Sequence, residues 1–254
     1  MKVELWKTVS TAAAAALCLG CGAVAETPPD TSTMPQLALP QAVAPDEAPS
    51  APLQLTFSAT AASNYTFRGV SQTENAAALF GAARVDYKNF YLGVGGENVD
   101  FHNSTDAEYD LSGGWTPVVS GFRLDLGFIR YGYVNQPAHT EIDTTEAKAV
   151  VLHDLGPATV AVAVYYTSDF FGSHHDAVYV EGRGSYRITK SLTASGAVGR
   201  QTIDSGTDHT TWNAGLTYAF TKHVGLDLRY ADTDRHELGK TYASHFVAAI
   251  KGSF

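Results

Sequence analysis

Ionisable side chains recur at every second position through much of this chain, and any chemistry it performs has to use them. Arg84 and Asp86 are two apart, as are Glu108 and Asp110, Arg123 and Asp125, Glu146 and Lys148, Glu181 and Arg183, and Asp227 and Arg229. Arg68 and Glu97 hold the same parity in their own segments. Residues two apart in an extended strand point to one face, so this set makes a charged face opposite an apolar one. Burying that many charges in a dry interior is costly unless each is paired. A water-filled path removes most of the cost, and its charges then select among solutes. A small barrel held together by ion pairs, with little passage, would place the same residues in the same way.

Other reactive groups are sparser. His174 and His175 lie beside Phe170, Phe171 and Asp176, and paired imidazoles are ligands for transition metals. Adjacent histidines in one exposed loop are ordinarily solvated, and a site would need ligands from other loops. No metal site and no cofactor is expected. The chain has no GxGxxG, P-loop, HExxH or nucleophile-elbow motif, and no enzymatic activity is expected.

The elements that must carry the charged face are strands. From Leu53 onward the apolar residues alternate with period two, and no helical stripe interrupts them. About twelve such segments follow, an even number as bacterial membrane barrels require. The first is expected to run from Leu53 through Phe67, with Tyr65 and Phe67 on the apolar face, and to end near Arg68. The last is Ser244 to Phe254, where Phe246, Ala248, Ile250, Gly252 and Phe254 share one face. About ten alternating residues suffice for a tilted strand to cross a bilayer.

Connections alternate in length. Tyr87–Asn89, Pro117–Ser120, Asp154–Pro157, Thr189–Lys190 and Thr221–His223 are short. Val70–Asn75, His102–Asp106, Tyr133–Asp143, Ser168–Asp176, Gln201–Thr210 and Ala231–Thr241 are longer and polar. Up-and-down membrane barrels have this pattern of tight periplasmic turns and longer external loops. Outward aromatics cluster at both ends: Tyr87, Phe90, Trp115, Phe122, Tyr186, Phe220 and Phe254 at one, and Tyr65, Phe67, Tyr109, Tyr166, Trp212, Tyr230 and Phe246 at the other. Two such belts match the girdles of a membrane barrel. A soluble barrel would have its apolar face inside.

The N-terminus reads as an export signal. Lys2 and Lys7 precede a short apolar core, Thr11–Gly20, and Ala23-Val24-Ala25 offers a cleavage site. Residues 26–52 hold seven of the ten prolines and read as an extended, disordered arm. The expected organisation is thus a signal peptide at 1–25, the arm at 26–52 and a transmembrane, antiparallel, all-β barrel at 53–254. Both cysteines, Cys18 and Cys21, fall in the signal segment. The net charge of −9 argues against nucleic acid as a partner.

Several stretches resemble known families. Asn64–Thr73 (NYTFRGVSQT) resembles the opening motif of the TorF-type porin family. Tyr91–Phe101, Glu108–Trp115, Leu124–Tyr133, Ser168–Gly172 and Tyr230–Asp234 follow in the order expected there. The resemblance covers nearly all of 53–254 and implies an outer-membrane barrel with a porin's role. Phe254 resembles the C-terminal signal of bacterial outer-membrane barrels, which implies recognition by the barrel-assembly machinery. Cys18–Cys21 resembles a lipoprotein box with Cys21 as the lipidated residue. Asp208 and His209, with Asp232, Asp234 and His236, resemble the acidic and histidine pairs at the mouth of omptin proteases, where they would activate a water.

The function expected is passive diffusion of small hydrophilic solutes across the outer membrane, weakly preferring cations. Pore-lining residues would be Arg68, Arg84, Asp86, Glu97, Glu108, Asp110, Arg123, Asp125, Glu146, Lys148, Glu181, Arg183, Asp227 and Arg229. Outer-membrane lipid and lipopolysaccharide would surround the barrel. The alternatives are a structural barrel without transport and an outer-membrane protease.

Overall fold

The computed structural model describes residues 53–254. The expected signal peptide at 1–25, the arm at 26–52 and lipidation at Cys21 lie outside the described residues.

Twelve long strands follow one another: β1 (Leu53–Ala62), β2 (Ala78–Tyr87), β3 (Phe90–Asn98), β4 (Ala107–Trp115), β5 (Phe122–Val134), β6 (Thr144–Leu155), β7 (Ala158–Thr167), β8 (Ala177–Arg187), β9 (Leu192–Ile203), β10 (His209–Ala219), β11 (Val224–Thr233) and β12 (His245–Ser253). Each pairs antiparallel with its sequence neighbours, and β12 pairs with β1, so the sheet closes. Ser58 lies opposite Ser253 and Ala62 opposite Ala249 across the seam. Beyond the seam, Phe57 and Phe254 exchange two backbone hydrogen bonds of 2.9 Å. Closure satisfies the edge N–H and C=O groups internally, which a barrel in lipid requires.

The alternation seen in the sequence becomes the two faces of the wall. Leu79, Leu92, Val94, Leu111, Val162, Leu216, Leu228 and Ile250 point out between Tyr87, Phe90, Trp115, Phe122, Tyr186, Phe220 and Phe254 at one rim and Tyr109, Tyr166, Trp212 and Phe246 at the other. Lys88-Asn89 and Gly156-Pro157 make two-residue turns at the first rim. The connections at the other rim are longer. The one expected from Gln201 to Thr210 is only 204–208, because β9 and β10 continue their pairing.

The first strand departs from expectation. It ends at Ala62, not near Arg68. Tyr65 and Phe67 are completely buried and belong to no outward girdle. Alternation continues through these residues, but the chain has already turned off the wall and into the barrel.

Candidate functional site

The segment between β1 and β2 contains a miniature hairpin, Thr66–Phe67 paired with Val70–Ser71. Arg68 and Gly69 form its two-residue turn, with φ of 46° and 83°, the positive values that a type I′ turn requires. Only glycine suits position 69, since a Cβ there would collide with the Thr211 side chain and the Asp232 carbonyl oxygen. Neighbouring loops hold the hairpin. The Ser71 N–H donates to the Thr241 carbonyl at 2.8 Å, and the Asp100 N–H donates to the Gln72 carbonyl at 2.8 Å. Within the segment, the Ser71 hydroxyl donates to Asn64 Oδ1 at 2.7 Å.

Arg68 is thereby delivered to the lumen. Its guanidinium lies 2.6 Å from Glu146 Oε2 on β6 and donates at 2.6 Å to Gln201 Oε1 on β9. It also sits over the rings of Phe67, Tyr165 and Tyr179, at 4.4, 5.3 and 4.3 Å, each a cation–π contact. The Tyr131 hydroxyl reaches the same Glu146 oxygen at 3.3 Å. The His209 ring nitrogen Nε2 lies 3.0 Å from the Arg68 carbonyl. A guanidinium so enclosed is tolerable because a carboxylate, an amide and three aromatic faces replace its water.

The other inward charges form separate groups along the wall. Arg84 chelates Asp86, with Nη2 at 2.7 Å, and lies 3.8 Å over the Tyr91 ring. Tyr91 donates to Asp125 at 3.0 Å, and Lys148 Nζ is 2.6 Å from the same carboxylate. Arg183 lies 3.3 Å from Glu181, which also accepts from the Tyr179 hydroxyl at 2.8 Å. Arg229 pairs with Asp227 at 3.1 Å and donates to Asn213 and Ser195. Arg123 pairs with the rim residue Asp154 at 3.2 Å.

Three inward acids remain. Glu97 on β3 and Glu108 and Asp110 on β4 bring carboxylate oxygens within 4.8 Å of one another, all buried. Among the described residues no cationic side chain pairs with them. One oxygen of Glu97, one of Glu108 and both of Asp110 have no hydrogen-bond partner. The Tyr65 hydroxyl, from the hairpin segment, donates to the remaining Glu108 oxygen at 3.2 Å.

The loop residues are engaged separately. Asp208 accepts from Arg200 at 3.1 Å and from the Ile203 N–H at 2.9 Å, while His209 turns inward to the hairpin. The two do not form a dyad. His236 Nε2 lies 2.5 Å from Asp232 Oδ1, whose partner oxygen accepts from Tyr230 at 2.7 Å. Asp234 accepts from the Thr210 N–H at 2.7 Å. His174 is largely exposed, 3.5 Å from Asp169.

The residues that enclose Arg68, above all Tyr131, Tyr165, Tyr179 and Gln201, are invisible as a site in the sequence because they come from four strands. The hairpin itself left one signal. An X-Gly pair flanked by Thr66-Phe67 and Val70-Ser71 is the pattern of a two-residue β-turn.

Comparison with known proteins adds the fold's relatives. The KdgM porin matches with a TM-score of 0.56 at 11% identity, over 78% of this chain and 99% of that one. The KdgM porin in complex with disordered oligogalacturonate matches at 0.55 and 12% identity, over 79% and 98%. The NanC porin matches at 0.51 and 10% identity, over 79% and 98%. These likenesses establish a common fold. No curated protein matches the sequence. A family described as "Bacterial protein of unknown function (Gcw_chp)" is matched by residues 46–254. Closure, an apolar outer band and aromatic rims make this a barrel of the bacterial outer membrane.

Proposed function

The chain belongs to the Gcw_chp family, and from its fold and lumen we propose that it is a narrow porin-like channel for small hydrophilic solutes, constricted by the hairpin that carries Arg68. The observation that supports this is the polarity of the interior. Arg84, Asp86, Asp125, Lys148, Glu181, Arg183, Asp227 and Arg229 point into a barrel whose outside is apolar. These residues, with Glu97, Glu108, Asp110, Arg123, Glu146 and Arg68, are the proposed pore lining.

The channel prefers cations weakly. Its proposed lining carries eight acids and six bases, and five of those acids face a cation across an ion pair. Among the described residues, Glu97, Glu108 and Asp110 are the acids left without a basic partner, and Arg123 turns to the rim acid Asp154, so acids outnumber bases by two. A lumen with one sign in excess concentrates the opposite ion. The polyanion oligogalacturonate, held by the KdgM porin, is a poor fit to this balance. Neutral and cationic solutes fit better. Lipid and lipopolysaccharide surround the apolar band, and assembly machinery reads the terminal strand. No catalytic role is assigned: Asp208 turns to Arg200 and the Ile203 N–H while His209 turns to the Arg68 carbonyl, so that pair is split.

Single-channel recording tests the reading. The full barrel should conduct in small steps, and a variant lacking residues 64–75 in larger ones. In a salt gradient the reversal potential should show cation preference that fades as salt rises, since the Debye length falls from about 10 Å at 0.1 M to about 3 Å at 1 M. Anion preference at low salt would refute the selectivity. A structural barrel without transport is favoured by the near-complete burial of the Arg68–Glu146 pair. Folded protein silent both with and without the hairpin would establish that reading instead.

A further inference from the structure

Among the described residues, every carboxylate of the proposed lining except three has a Lys or Arg within ion-pair distance. The exceptions stand together, and several of their oxygens have no donor. Carboxyls placed so close and so deep cannot all stay ionised unless protons or a bound cation compensate them.

A second group faces the same place. The Tyr133 hydroxyl is buried without a hydrogen-bond partner. Tyr133 lies directly opposite Glu108 in the β4–β5 register, on the same inward face. Its hydroxyl is within electrostatic reach of Glu108, Asp110 and Glu97. A phenol and three carboxylates offer only oxygen, the donor set of hard divalent cations.

We propose that Glu97, Glu108 and Asp110, beneath Tyr65 and beside Tyr133, form a binding site for a divalent cation of the calcium type. The spacing fits. Calcium takes oxygens at about 2.3–2.6 Å, so two on opposite sides of one ion stand roughly 5 Å apart. The three carboxylates lie within that span, at 4.8 Å or less. Magnesium demands a smaller, near-ideal octahedron and keeps several waters, so it suits this strand-mounted cluster less. Glu97 and Glu108 are directly opposed across β3–β4, and Asp110 is two residues along the same face. Register alone therefore fixes the ligands. Tyr65 ties the site to the hairpin through Glu108, so a bound ion would order the hairpin's base. The site stands or falls independently of whether the barrel conducts, but a bound divalent cation would cancel the charge on which the cation preference rests.

The test uses the folded barrel in detergent, stripped with a chelator and titrated with calcium chloride, with terbium as a luminescent competitor. Terbium in the cluster should be sensitised by Tyr65 and Tyr133, and calcium should displace it saturably with a dissociation constant below about 1 mM. Glu97→Gln and Asp110→Asn should each weaken binding at least about tenfold by removing ligand charge. Glu74→Gln and Asp234→Asn, in the external loops, should leave it unchanged. Heat-modifiable gel mobility verifies folding of each variant. If one substitution prevents folding, the other carries the test, together with a calcium-dependent rise in unfolding temperature of the unaltered protein. Absence of saturable binding in that protein would overturn the proposal. So would binding that survives in folded Glu97→Gln or Asp110→Asn, because the ion would then sit on loop acids.

Discussion

Arg68 Nη2 lies 2.6 Å from Glu146 Oε2, and this one contact joins the turn of the first long loop to a strand five places round the barrel. Both side chains are almost wholly shielded, at 0% and 2% exposure. The pair helps make an inserted loop a fixed part of the lumen, beside the Gln201 and His209 contacts and the hairpin's backbone bonds to neighbouring loops.

Glu146→Gln should unseat that loop. Removing one partner of a buried ion pair costs about 3–5 kcal/mol, and the hairpin can avoid much of this by withdrawing Arg68 from the lumen. We expect larger or noisier conductance steps and faster proteolysis near Arg68, with the barrel still folded. Unchanged conductance and protease resistance would show that the hairpin's other contacts hold it without the ion pair.

Orientation follows from which rim carries the long loops. Cysteines replacing Ser205 or His236 should react with an impermeant maleimide on intact cells, and cysteines replacing Lys88 or Lys190 should not. All four positions are exposed at their rims, so differential labelling reports sidedness and not burial. Equal labelling at Lys88 and His236 contradicts the proposed orientation.

Phe254 completes the seam. Its backbone exchanges two hydrogen bonds with Phe57, and its ring stacks on His223 with centroids 5.2 Å apart. Deleting it should lower the amount of folded barrel in the outer membrane while leaving export across the inner membrane intact. Quantitative blotting of membrane fractions measures this. Normal abundance in the deletion would show that Phe254 is not needed for assembly.

At the rim of the longer loops, Asp234 should titrate at low pH. Burial alone would raise its pKa, but hydrogen bonds from the Thr210 N–H and hydroxyl, with Arg200 nearby, hold it below its ordinary 3.8. A carboxyl depressed on folding stabilises fully above its unfolded pKa, and loses that contribution as pH falls through the folded value. The Thr210 amide resonance should therefore titrate with a midpoint under 3.8, and Asp234→Asn should abolish the transition. A midpoint above 3.8 would mean that burial dominates.

The sequence by itself determined the wall. A side-chain period of two assigns each strand residue to lipid or lumen without knowledge of its neighbours, and a one-residue slip would reverse every assignment. It also placed Arg84 with Asp86, Glu181 with Arg183 and Asp227 with Arg229, because residues two apart on one strand share a face. Only the tertiary structure decided what fills the interior. Periodicity is the same in a strand that continues along the wall and in one that folds back, so Tyr65 and Phe67 read as outward until the turn at Arg68-Gly69 is seen to enter the barrel. Arg68 meets Glu146, and Glu97 meets Glu108 and Asp110, through closure and interstrand register. Those depend on how all the strands pair at once, which no single segment encodes.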